Sequence, residues 1–148
     1  MMKLFSIFLV LLITNSALAQ PLMLVTEEEM LSSKQNKSRF TPKATVVPNA
    51  PSIDLLAPQL GSSVSSPTQI DLKFLPKNPA AVKPETFKAY YGTFQVDITS
   101  RLLKVAKVTT LGVNVPEASL PKGSHRITLN IEDTEGRIGS RTIEFDVK

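Results

Sequence analysis

The chain contains no cysteine and no tryptophan, and it has a single histidine, His125. Without cysteine there is no disulfide framework, no thiol nucleophile, no redox motif and no cysteine-ligated zinc. A lone histidine is equally poor material for a transition-metal centre, which gathers about three or four nitrogen or sulfur ligands. Only two tyrosines are present, so a broad aromatic platform for sugars is missing. Charge of one sign is also scarce. Seventeen basic and thirteen acidic residues leave +4; Lys3 precedes the mature chain expected below, and residues 20–50 set four basic residues against three acidic ones. The remainder carries +2. A balance so small and so interspersed describes an ordinary solvated surface, and no basic stripe interleaves with aromatics as a nucleic-acid interface would require.

After residue 19 no run of about 20 apolar residues follows, the length a membrane span needs. The opening MMKLFSIFLVLLITNSALA is different in kind: Lys3 precedes an apolar run, Leu4 to Ile13, and Ala17 and Ala19 form an A-x-A ending. This three-part pattern predicts a secretory signal peptide over residues 1–19, cleaved before Gln20. No cysteine follows it, so a lipoprotein anchor is not expected. An exported chain that manages without disulfides points to a bacterial periplasmic or secreted protein with a core large enough to hold itself together.

Residues 20–50 read as an N-terminal linker. Its first part contains Leu22, Met23, Leu24, Val25, Met30 and Leu31 around Glu27-Glu28-Glu29, with Thr26 as a helix N-cap and Glu29 three residues on as its capping-box partner. That predicts a short amphipathic helix. Isolated helices of this length are marginal in water, and residues 32–50 carry serine, lysine, asparagine and proline with little periodicity, so a loose, dispensable tail is the expectation, with docking of the apolar leader on the domain or on a partner as the alternative.

From Pro51 the pattern becomes period two. Ile53 to Leu56 forms a first strand; Ile70, Leu72 and Phe74 alternate with Asp71 and Lys73; Phe87, Ala89 and Tyr91 alternate with Lys88 and Tyr90. A further run places Phe94, Val96 and Ile98 on one side, and a short strand around Val113 and Val115 is expected to end at Pro116. Residues 99–108 fit a helical turn or a strand equally. The clearest pair is last: Ile127, Leu129 and Ile131, then Asp133-Thr134-Glu135-Gly136, then Ile143, Phe145 and Val147, a β-hairpin with a short acidic loop. About seven such strands in residues 51–148 predict an all-β, immunoglobulin-like sandwich.

The run Leu120-Pro121-Lys122-Gly123-Ser124-His125-Arg126-Ile127, followed by Asp133 and Gly136, resembles the signature that closes many bacterial immunoglobulin-like and fibronectin type III-like extracellular domains. The opening, from Ile53 through Ala57-Pro58 and Gly61 to Ile70-Asp71-Leu72, is similar to their first two strands. The resemblance implies a sandwich, while such domains serve adhesion, envelope spacing and accessory roles alike. Pro121 and Gly123 then make the corner between sheets, and His125 hydrogen-bonds across it, half-buried, as a tyrosine does in related sandwiches.

No residue qualifies as catalytic, cofactor-binding or metal-binding. A Ser-His-Asp set from Ser124 or Ser119 with His125 and Asp133 lacks a nucleophile elbow. Asp133, Glu135 and Glu132 are too few for a calcium site of about 6–8 oxygens. One of Tyr90 and Tyr91 must face outward, because neighbours on a strand point to opposite faces, and that leaves a thin carbohydrate reading. The expected function is non-enzymatic: an exported module that binds another envelope or extracellular protein, with no cofactor, no nucleic acid and no transmembrane anchor. A carbohydrate- or peptidoglycan-binding accessory domain is the alternative.

Overall fold

The computed structural model describes residues 22–35 and 46–148; the expected signal peptide and its cleavage point, with residues 36–45 of the linker, lie outside them. Among the described residues eight strands form two four-stranded antiparallel sheets. The first sheet contains β1 (Ser52–Ala57), β2 (Thr68–Leu75), β5 (Lys107–Val108) and β6 (Gly112–Ala118), in the order β1-β2-β6-β5. The second contains β3 (Val82–Tyr91), β4 (Val96–Asp97), β7 (Gly123–Asp133) and β8 (Ile138–Val147), in the order β4-β3-β7-β8. Period-two burial is the reason they pack. Ile70, Leu72 and Phe74 face Phe87, Ala89 and Tyr91, with Val113, Val115, Ile127, Leu129, Ile131, Ile143 and Phe145 completing one core. The hairpin β7–β8 keeps an unbroken register from Gly123↔Val147 to Glu132↔Ile138, so each inward residue meets an inward partner.

Two expectations within the sandwich change. Phe94 is exposed and belongs to a turn, because Gln95 takes φ 53° and its N–H bonds the Gly92 carbonyl; Val96 and Ile98 pack on the core side as expected, but β4 is only two residues long. Pro116 does not end β6, which runs on to Ala118. The β2–β6 register shifts between Thr68 and Ile70, opposite the exposed proline, and a bulge tolerates a residue with no N–H. The open segment 99–108 contains both structures: α2 (Thr99–Leu102), then β5.

The sheet edges are guarded. β4 and β5 are too short to template another strand. The end of β8 is covered by Val64, whose N–H donates to the Asp146 carbonyl at 2.8 Å and whose carbonyl accepts the Lys148 N–H at 2.9 Å. Near the start of β8, Arg141 Nη1 donates to the Ile53 carbonyl at 2.7 Å and ties the two sheets together. Among the described residues no helix is long and apolar enough to cross a membrane.

Within residues 22–35 the structure departs from the loose tail and takes the docked alternative. The helix is present as α1 (Glu27–Gln35), and its capping box forms as read, with the Thr26 N–H donating to Glu29 Oε2 and the Glu29 N–H to Thr26 Oγ1. The segment is not loose, however. Leu24 and Val25 are fully buried, and Met30 is buried in the same core cluster. The Leu24 N–H donates to the Ser119 carbonyl at 3.0 Å. Arg101 grips Glu29 through two hydrogen bonds of 2.7 Å and also donates to the Leu24 carbonyl at 3.2 Å. Ser33 accepts two bonds from Thr93, one from its N–H and one from its hydroxyl. Tertiary packing supplies what a helix this short lacks on its own.

Candidate functional site

His125 holds a structural position. Its Nε2 lies 2.7 Å from the Pro121 carbonyl, and a carbonyl only accepts, so Nε2 carries the proton and donates. Nδ1, 2.9 Å from the Tyr91 hydroxyl, therefore accepts from it. The ring is 2% exposed and packs between Tyr91 and Phe145 with centroid separations of 5.8 and 5.9 Å. It spans the corner as expected but sits deeper than half-buried, because segment 22–35 closes over that end of the sandwich. Gly123, two residues before it, adopts φ 131°, and a Cβ there would stand 3.1 Å from Met30 Sδ.

Burial holds the His125 imidazole below its ordinary pKa, and the nearby Lys34 adds to the effect against the opposing pull of the Pro121 carbonyl and Asp146. Glu29 is lowered from 4.5 to about 2, first by the hydrogen bonds from Arg101, with bonds from Thr26 also contributing. Both shifts act in the same direction. Below pH 6.5 the unfolded chain takes up a proton that the folded imidazole refuses; below 4.5 the unfolded Glu29 does the same. Stability is therefore expected to fall in two stages on acidification. Denaturant midpoints measured from neutral pH downward check this, and Glu29→Gln should make the lower stage shallower while leaving the upper stage unchanged.

The remaining sequence candidates are not brought together as a reaction centre. Ser124 is next to His125 on a strand, faces the opposite side and donates to Asp146. Asp133 stands eight residues further along β7, on the order of 26 Å away. There Arg137 uses up the acids of the hairpin tip. Its Nε donates to Asp133 Oδ2 at 2.8 Å, its N–H and that of Glu135 donate to Asp133 Oδ1 at 3.0 Å, and its Nη1 pairs with Glu135 at 2.9 Å. Burial by itself would raise the Asp133 pKa, but these bonds outweigh it and hold the carboxyl below its usual range. Glu132 pairs with Lys83. Among the described residues no group of three or more metal-ligating side chains converges. Tyr91 is the inward tyrosine and Tyr90 the outward one, as strand alternation requires.

Two concave surfaces among the described residues offer room for a ligand. The larger is a polar cleft of about 650 Å³. Its floor is the outward side of the first rungs of β7–β8, Ser124 opposite Asp146 and Arg126 opposite Glu144. One wall is the end of α1 with Ser33 and Lys34 beside Thr93, and the other is the loop Gly61–Ser63. Sequence reasoning missed this site because its walls come from three distant segments. The next rung continues the same face: Thr128 and Thr142 hydroxyls are 3.1 Å apart, and Tyr90 stands opposite Thr128.

The second is a groove of about 410 Å³ across the other sheet. Leu56 and Leu111, 56% and 78% exposed, form its apolar walls. Gly112 and Asn114 lie in its floor, and Lys73, Lys107 and Asp71 supply the charge around it. Comparison with protein-family models, curated proteins and solved structures returned no match.

Proposed function

We propose that the chain is an exported, non-enzymatic, immunoglobulin-like module of the bacterial periplasm or exterior that binds another envelope or extracellular protein. The strand orders β1-β2-β6-β5 and β4-β3-β7-β8 support the immunoglobulin-like reading, as they follow the A-B-E-D and C-F-G arrangement with one short strand added beside C. So does the corner bond from His125 to Pro121, at the start of the strand where related sandwiches place a tyrosine.

One observation carries the binding role: two large leucines stand exposed on either side of a groove whose floor is open. Apolar side chains clustered at a polar-rimmed depression mark contact surfaces. Strand addition is disfavoured by the guarded edges, so the partner docks on the sheet face. With two lysines against one aspartate at the rim, the fitting partner segment is apolar with an acidic flank.

A photoreactive residue in place of Leu111 in the native cell identifies the partner, and affinity for that purified partner then decides the question. Leu56→Asp and Leu111→Asp should each weaken binding at least about tenfold, as buried apolar anchors do, whereas Glu85→Ala on the opposite sheet should leave it unchanged. Equal affinity for all of these variants overturns the reading.

A further inference from the structure

We propose that the cleft between α1, the Gly61–Ser63 loop and the β7–β8 floor binds a neutral saccharide, a site separate from the protein-binding groove and independent of it. The charge arrangement selects the ligand. Lys34 and Arg126 are interleaved with Glu144 and Asp146, two cations against two anions, so any ligand of net charge meets its own sign inside the cleft. A sugar hydroxyl both donates and accepts, and it satisfies a carboxylate and an ammonium side by side. Groups are available for it. Lys34 has no ion-pair partner among the described residues. Glu144 is 66% exposed and held by Arg126 only at 3.3 Å.

A volume of about 650 Å³ lies within the roughly 300–1,000 Å³ range of small-molecule sites. The face also supplies what the polar cleft lacks. Tyr90 pairs with Thr128, two residues along β7 from Arg126, a step of roughly 7 Å. A disaccharide with one ring in the cleft therefore reaches the tyrosine with the other, where an apolar sugar face can stack on the ring. A peptide fits worse, since the cleft has no apolar pocket to take alternate side chains. Because Ser33 and Lys34 form one wall, the site is complete only when segment 22–35 is docked.

The test is an amide-resolved titration of the mature protein with N,N′-diacetylchitobiose and with cellobiose to millimolar concentration. Saturable shifts should be confined to Ser33–Lys34, Ser62–Ser63, Tyr90–Thr93, Ser124–Thr128 and Thr142–Asp146. Tyr90→Ala should weaken the response about tenfold, and Glu144→Ala, on an exposed rung, should weaken it without altering the spectrum of the core. Absence of saturation with both sugars, shifts elsewhere on the protein, indifference to both substitutions, or tighter binding of an oligosaccharide of uronic acids would each overturn the proposal. None of these outcomes bears on the Leu56–Leu111 groove, whose own variants test it separately.

Discussion

Leu24→Ala is expected to lower the unfolding free energy by about 2–5 kcal/mol, the cost of emptying a fully packed leucine site. The side chain is 0% exposed and belongs to the main core cluster, although its residue precedes the first strand by almost thirty positions. The hole cannot readily collapse. Val25 and Met30 pack into the same core, and the backbone on either side is pinned by the Ser119 carbonyl and by Arg101. Deleting residues 20–35 should cost more, since it removes all three apolar side chains and strands the Arg101 guanidinium, 33% exposed, without its carboxylate. Urea midpoints for the intact protein, Leu24→Ala and the deletion should fall in that order. Unchanged midpoints would mean that the segment is a tail after all.

Gly112→Val should be about as damaging. A Cβ at this position would stand 1.9 Å from the Leu72 carbonyl oxygen and 3.2 Å from the Lys73 Cα, both backbone atoms of the neighbouring strand that cannot swing aside. The β2–β6 ladder, with Leu72↔Val113 and Lys73↔Gly112 in register, would have to part locally. A loss at or above the upper end of the usual 1–3 kcal/mol for overpacking is expected. Gly136→Ala, in the hairpin turn at φ 77° with open space around its Cβ position, should cost only the backbone term of about 1 kcal/mol. Thermal melts of the two variants should separate clearly.

Strand alternation was legible wherever one face is buried and the other wet. Ile70, Leu72 and Phe74, and the hairpin pair of Ile127–Ile131 with Ile143–Val147, carry that pattern in the sequence and in the sheets. It misled at Phe94, where the local backbone turns, and at Pro116, where a bulge absorbs a residue that would ordinarily stop a strand. The capping box at Thr26 and Glu29 was readable because it spans three residues. Docking of the helix was not, because its decisive partner, Arg101, is seventy-two positions away, and nothing local distinguishes that arginine from a solvated one. His125 was placed at its corner from the resemblance, but its burial depends on the same distant segment. The cleft was invisible for a related reason: hydroxyls and charges at residues 33–34, 61–63 and 124–126 have no common period or spacing.

The sandwich completed by its own N-terminal segment is the central claim, and the cleft stands or falls with it. Hydrogen exchange of the intact protein measures it directly through two amides, Leu24, which donates to the Ser119 carbonyl, and Thr93, which donates to Ser33 Oγ at 3.1 Å. Protection of Leu24 comparable to that of β3 and β7 amides, lost together with Thr93 protection when Glu29 and Arg101 are both replaced by alanine, is the predicted result. Exchange of Leu24 at the rate of an unstructured chain, with the β3 and β7 amides still protected, would contradict it.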